Sequence, residues 1–296
     1  KDTMALHPEK ELGVGSAFKL FVLKAVASDV LQGKRSWRDI IELQDQDQST
    51  SSPDYKDWPT GSPVSLFGLA ASMISKSDNS NFLASVLSLP LSLSLLFSLT
   101  YFLSLTRSLT LLLLLTAATD ALIRTVGREA IERMLPPFNN NNRPFLSTRD
   151  FFVLKSQGNE DLLEEYRKSG TEEERRKVLD AVSKKPLPNP ADFPIKPTAF
   201  DVEWLFSVRE LCGAIEEVHS LPVTQINPGL AKKDQWDEIA FKGGSEPGVV
   251  NLTTRLKKGE HAFWVSATWN SMKGIEETTF FMAYSTLIGY LLSKCT

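Results

Sequence analysis

Ser16 and Lys19 stand three residues apart at the head of an apolar-periodic run that reaches Leu31. On a helix this spacing puts a hydroxyl and an amine on one face, a turn apart. An amine that has lost its proton can deprotonate the hydroxyl, which turns a weak alcohol into an acylation site. Two later motifs supply what such a step also needs. Ser77-Asp78-Asn79 brings a hydroxyl able to relay a proton to the leaving group, and an amide able to hold both Lys19 and a substrate amide. Lys242-Gly243-Gly244 brings a positive charge for a substrate carboxylate and two residues whose bare backbone lets substrate lie against a strand edge. The N–H groups of Ser16 and Ser245 would form the oxyanion hole, a device worth roughly 10²–10³ in rate per donor. The candidate catalytic residues are therefore Ser16, Lys19, Ser77 and Lys242, with Asn79, Gly244 and Ser245 binding substrate. Burial beside Lys242 is expected to lower the Lys19 pKa. Each motif is common by itself: S-x-x-K in helices, S-D-N in loops and caps, K-x-G at strand ends. Their order and their element contexts make them a set.

The elements that must position these residues follow from periodicity. Residues 14–32 read as a helix with Val14, Phe18, Phe21, Val22, Ala25, Val26 and Val30 on one face, stopped by Gly33. Ser49–Pro63 reads as loop and Val64–Ser75 as a second helix that delivers Ser77-Asp78-Asn79. Asp120–Leu135 is a third, ended by Pro136-Pro137 and the Asn139–Asn142 run. Further helices are expected around Thr148–Leu154, over about 159–184, and over Ala199–Val218 with Leu205, Val208, Leu211 and Ile215 on one side. Near Asp237 the period changes. Glu238–Phe241, Gly248–Arg255 and Ala262–Trp269 read as strands with turns at Gly243-Gly244 and Lys258-Gly259, and Ile275–Leu292 as a covering helix. The expected organisation is a mainly helical part, 1–236, followed by a three-stranded antiparallel sheet and its helix, 237–296.

Composition narrows the function classes. With 33 Lys+Arg against 36 Asp+Glu and no basic stripe, nothing points to nucleic acid. His7, His219 and His261 lack metal spacing, and Cys212 and Cys295 define neither a metal site nor a disulfide framework. No metal or other cofactor is expected. The expected partner is a small-molecule substrate, and the expected state a monomer.

Phe82–Leu115 is foreign to this pattern. Leucine and serine fill 23 of its 34 positions, and Phe82–Thr106 is 25 uncharged residues, long enough to cross a bilayer. Yet it begins three residues after Asn79, between stretches that read as packed helices of one domain. Leu, Ser, Phe and Pro can all be written in pyrimidines, Ser80-Asn81 can encode a GUAAY donor, and Thr116-Ala117 can encode a CAG acceptor. We read the tract as a translated intron. Its removal rebuilds S-D-N-T-A-T-D-A-L, an ordinary entry into the next helix. A membrane contact is expected only if the tract is real.

Gly15-Ser16-Ala17-Phe18-Lys19-Leu20, Met73–Asn79, Arg143-Pro144-Phe145-Leu146-Ser147-Thr148-Arg149 and Phe241–Gly248 together resemble the class A β-lactamase-like serine hydrolases, within the serine β-lactamase and penicillin-binding-protein-like superfamily. The resemblance implies an α/β (α+β) fold in which an all-helical subdomain packs on an antiparallel sheet with a covering helix. It places the active site in the groove between them and implies an acyl-enzyme on Ser16, formed from a β-lactam or a related amide or ester. An esterase or D-peptidase-like activity, or a non-catalytic protein that keeps the groove, are the alternatives. Three departures stand out. The helix and two strands that open such folds have no counterpart before Ser16, so the sheet is expected to have three strands and an exposed edge. Pro136–Pro144 holds no acid to activate a deacylating water, and Glu129 and Glu132 before it are expected to face solvent. Gly243 replaces a hydroxyl-bearing residue, which removes one contact to a substrate carboxylate.

Overall fold

The computed structural model describes residues 3–48, 59–75 and 117–295. Ser77, Asn79 and the leucine-serine tract lie outside the described residues. Among those described, no helix is long and apolar enough to cross a membrane.

The S-x-x-K run forms two pieces. A 3-10 turn, Gly15–Phe18, carries Ser16, and α1, Lys19–Leu31, begins at the lysine. The helix is more deeply placed than a one-face reading implies. Leu20 and Leu23 are buried along with Phe21, Val22, Ala25 and Val26, because α1 runs through the middle of the helical part and is apolar on nearly every side. Gly33 follows its end as expected. α2 is Leu66–Ser75, preceded by a short strand, β3 (Pro63–Ser65), which pairs with β2 (Ile40–Glu42). The expected third helix is two: α3 over residues 117–126 and α4, Arg128–Glu132, separated at Gly127. Then come α5 (Thr148–Lys155), α6 (Glu160–Lys168) and α7 (Glu172–Val182). α5 and α7 each open on a capping box, Ser147 with Asp150 and Thr171 with Glu174.

The expected helix Ala199–Val218 is shorter than its periodicity suggested. Ser207 and Glu210 form a capping box, so α8 is only Val208–Val218. The residues before it are extended. Leu205–Phe206 (β4) pairs with Leu12–Gly13 (β1), setting Leu12 opposite Phe206 and Gly13 opposite Leu205. The S-D/E-type spacing Ser207-x-x-Glu210 was the sequence signal for this boundary.

The carboxy-terminal sheet has the order β5-β6-β7, all antiparallel: Glu238–Glu246, Val249–Lys258 and His261–Asn270. Gly243 and Gly244 are not a turn. They lie inside β5, and the chain reverses at Pro247-Gly248 instead. α9, Glu277–Leu292, covers one face, where Phe241, Val250, Leu252, Leu256 and Val265 meet Phe281, Tyr284 and Ile288. Strand alternation sends Lys242, Gly244, Asn251, Thr253 and Arg255 to the other face, toward the helices. There Arg255 pairs with Glu216 of α8 at 3.1 Å and with Glu238 at 2.7 Å.

Candidate active site

Ser16 is the one residue between Gly13 and Leu23 that is not buried. The turn that carries it is held from three directions. Val14 N–H donates to Trp204 C=O at 3.1 Å, and the Asn270 side chain both accepts from Gly13 N–H and donates to Gly13 C=O, each at 2.8 Å. Under the turn, Phe18 stacks on Trp204 with centroids 3.8 Å apart, Trp204 stacks on Phe151 at 4.5 Å, and Phe21 stacks on Phe206 at 4.1 Å. Such ring pairs contribute about 0.5–1.5 kcal/mol each beyond area burial.

The third direction is β5. Gly15 has φ +50°, and a Cβ built on it would stand 3.0 Å from the Ser245 amide nitrogen. A Cβ on Gly244 would overlap the Val14 carbonyl oxygen and lie 2.6 Å from the amide nitrogens of Ser16 and Ala17. The two glycines let turn and strand touch backbone to backbone. The space beside Gly244 is thus filled by the turn and is not a bed for substrate as the sequence suggested. Residues 239–244 of β5 are buried, and the strand reaches the surface at Ser245. Two half-exposed serines, Ser16 and Ser245, therefore open side by side from an otherwise buried junction.

Lys19 and Lys242 are each 1% exposed. Burial lowers the Lys19 pKa to about 7, and the Asp120 carboxylate opposes that fall. Among the described residues, the charge that acts on Lys19 is that of Asp120. Lys242 sits opposite Thr253 on the helix-facing side of the sheet and donates to Gly243 C=O. A Cβ on Gly243 would meet Phe241 Cζ at 3.0 Å and Leu252 Cδ2 at 3.3 Å. That places the missing side chain on the α9 face, so its absence removes no group from the Ser16 side.

Of the S-D-N motif, the structure describes only the approach. Asn227 Nδ2 donates to the C=O of Ser75, the last residue of α2, at 3.2 Å. Residues 222–225 touch both α2 and β5, so the end of α2 at Ser75 lies beside a segment that also packs on the Lys242 strand.

The Arg143–Arg149 segment is gripped through its backbone. Arg128 donates to Phe145 C=O, Glu132 accepts from Phe145 N–H at 2.8 Å, and Trp204 Nε1 donates to Leu146 C=O at 2.9 Å. Glu132 does not face solvent as expected: it is buried and also pairs with Arg176. Glu129 is exposed. The Asn139–Asn142 run is also more than a helix stop. Asn139 donates to Leu205 C=O at 3.1 Å and to Glu210 at 2.9 Å, and the Asn142 side chain accepts from Leu205 N–H at 2.9 Å. These asparagines hold β4, and through it the aromatic stack beneath Ser16. Polar residues after a proline pair gave no sequence sign of that role.

Past Ser245, Glu246 meets a buried group the sequence did not single out. Lys155 pairs with Glu203 and lies 3.2 Å from Glu246, with its ammonium 4.4 Å from the Phe151 ring centroid. Burial, then the Glu246 charge, pushes the Glu203 carboxyl well above its ordinary range, and Glu203 Oε2 is buried without a hydrogen-bond partner. A carboxyl raised on folding keeps a proton that the unfolded chain gives up, so its contribution to stability falls as pH rises above the ordinary carboxylate range. Glu203→Gln leaves Lys155 with one carboxylate. It is expected to match the wild type in thermal unfolding near pH 4 and to exceed it by about 2–4 °C at pH 8. Equal melting temperatures at pH 8 would show that the cluster carries no excess charge.

Residues 1–87, which contain both S-x-x-K and S-D-N, match the beta-lactamase enzyme family. No curated protein matches the chain. Among solved structures it is similar to an ancestral class A β-lactamase (GNCA), with 13% identity, TM-score 0.53, and coverage of 99% of this chain and 89% of that one. It is also similar to a β-lactamase from Sphaerobacter thermophilus, with 15% identity, TM-score 0.52, and coverage of 93% and 80%. Its amino-terminal residues thus match the β-lactamase family model, and its fold is that of the class A β-lactamases.

Proposed function

We propose that the protein is a serine hydrolase of β-lactamase type that takes the acyl group of a β-lactam, or of a related amide or ester, onto Ser16. The observation that carries this reading is the junction itself: a half-exposed Ser16 whose amide lies against Gly244 and whose neighbour Gly15 lies against the Ser245 amide, with a buried Lys19 one turn away. In this reading Lys19, whose lowered pKa of about 7 leaves a large share of it neutral at that pH, takes the Ser16 proton as Oγ attacks the carbonyl carbon. The amides of Ser16 and Ser245 receive the oxyanion. Ser77 passes the proton to the leaving nitrogen or oxygen, while Lys242 and Asn79 hold the substrate's carboxylate and amide.

The position of Glu132 favours acylation over rapid turnover. Its carboxylate is committed to Phe145 N–H and Arg176 and is not available to activate water. An esterase or D-peptidase-like activity is the second reading. Incubation with a fluorescent penicillin followed by peptide mass spectrometry is expected to show one adduct, on Ser16, and slow hydrolysis of nitrocefin. An intact, folded protein that acquires no adduct would overturn the enzyme reading.

A further inference from the structure

Lys155, the last residue of α5, reaches two acids from different parts of the fold. Its ammonium pairs with Glu203, two residues before β4, and lies 3.2 Å from Glu246, the last residue of β5. The Lys155 side chain is 5% exposed, that of Glu203 is fully buried and that of Glu246 is 16% exposed, so water meets the group at Glu246. Each acid is joined to one half of the Ser16 junction. The Gly13 backbone lies against Glu203: a Cβ built on Gly13 would stand 3.1 Å from Glu203 Cγ. Trp204, next in the chain, accepts Val14 N–H through its C=O at 3.1 Å and stacks on Phe18. Glu246 directly follows Ser245. Strand alternation turns its side chain to the face of Gly244, against which the Ser16 turn rests.

We propose that Lys155 and Glu246 are positioning residues of the acyl-transfer site, a clasp that ties the Ser245 end of β5 to the backbone carrying the Ser16 turn and so sets the spacing of the two amides that receive the oxyanion. This rests on the reading of Ser16 given above. Pairing with β6 holds β5 within its own sheet, and β5 ends at Glu246, where the chain reverses at Pro247-Gly248. A strand end is where local opening costs least. The ion pair ties that end across to α5 and to Glu203, one residue from the Ser245 amide. A pair so far out of water is little screened by salt.

The clasp carries an imbalance. One ammonium faces two carboxyls, and Glu203 Oε2 is buried with no hydrogen-bond partner. A buried carboxylate without a partner is costly, so the group is most stable with one proton held between the acids. The raised Glu203 carboxyl agrees with this. The other charged groups at the cluster are Asp201, which feels Lys155, and Arg167 of α6, which holds Asp201 by two hydrogen bonds at 2.6 and 2.7 Å. Loss of the held proton leaves the cluster with one negative charge in excess. Glu246 is the acid with a way out to water, so the clasp opens on the β5 side as pH rises.

Glu246→Gln opens the clasp on one side only and leaves Lys155 paired with Glu203. The limiting rate of Ser16 acylation by fluorescent penicillin is expected to fall about tenfold or further, as for a misplaced oxyanion donor. The half-saturating concentration should change much less, because the spacing of the amides matters in the transition state. In the wild type the rate should decline at alkaline pH, and Glu203→Gln should abolish that decline. Glu246→Gln acylated at the wild-type limiting rate, or an alkaline decline that persists in Glu203→Gln, would overturn the proposal. A second measurement needs no activity. Amide hydrogen exchange over residues 243–250 should be faster in Glu246→Gln than in the wild type at equal pH, with exchange in β7 unchanged. Equal exchange over 243–250 would overturn the clasp. Absence of any adduct on wild-type Ser16 would instead remove the acyl-transfer reading, leaving hydrogen exchange to decide whether the ion pair holds the strand end.

Discussion

Gly244→Ala is expected to eliminate measurable adduct formation on Ser16 while leaving most of the protein folded. The added Cβ points at the Val14 carbonyl oxygen and at the amides of Ser16 and Ala17, which are backbone atoms with no rotamer to escape into. The turn cannot give way easily. Val14 is bonded to Trp204 C=O at 3.1 Å, and Val14 C=O already accepts Ala17 N–H at 3.3 Å. The strand cannot give way either. Gly244 is paired with Asn251, whose side chain is bonded to Ala267 C=O at 3.1 Å and to Thr268 at 2.8 Å. Turn and strand must separate, which draws the Ser16 amide away from the Ser245 amide. Misplacing one oxyanion donor costs roughly 10²–10³ in rate, and overpacking costs about 1–3 kcal/mol of stability. Gly243→Ala, one residue away and on the α9 face, where its Cβ meets the side chains of Phe241 and Leu252, is expected to lower stability less. Adduct formation by Gly244→Ala at the wild-type rate would show that contact between turn and strand is not what prepares Ser16.

Lys19→Met is expected to reduce acylation by about 10²–10⁴, the usual effect of losing a general base, and to make the protein more stable at neutral pH. The two effects share one cause. Burial lowers the Lys19 pKa to about 7, so the unfolded chain holds a proton that the native state gives up between about 7 and the ordinary lysine value. Native stability therefore rises with pH across that window, and the strain of the buried amine is largest below it. Methionine fills similar volume with no charge to desolvate. The difference in melting temperature between Lys19→Met and the wild type should be greatest near pH 6 and shrink toward pH 10. The acid limb near pH 7 in the acylation rate should disappear with the lysine. A variant that is no more stable at pH 6 and retains the limb would show that another group is the base. A residue that costs stability where it is buried and supplies rate is the trade-off expected of an active site.

The local chemistry of the elements was legible in the sequence. The apolar density of residues 18–26, the stop at Gly33, Ser147 before α5 and the alternation after Asp237 each act within a few residues of themselves. The S-x-x-K spacing alone places Ser16 and Lys19 a turn apart. The clearest local error, a turn at Gly243-Gly244, arose because glycine in a strand and glycine in a turn look alike until something packs against it. The overlong helix before Val218 had the same origin, since Leu205 fits a helical face as well as a two-residue strand.

What only the tertiary structure decided is why those residues are chemically special. Lys19 is lowered by burial, and burial depends on α1 lying at the centre of the helical part, which α8, α2 and the Arg143–Arg149 segment together create. Asp120, Asn139, Asn142, Glu132 and Glu203 are ordinary polar residues in the sequence, and each matters through a partner at least 13 positions away. Sequence spacing fixes what lies within one turn or one strand, whereas desolvation and long-range hydrogen bonds are set by what the folded chain lays over a residue. The sequence alone determined that Ser16 and Lys19 share one turn. The fold decided that this turn presses against a strand without a side chain, leaving only the serine in reach of solvent.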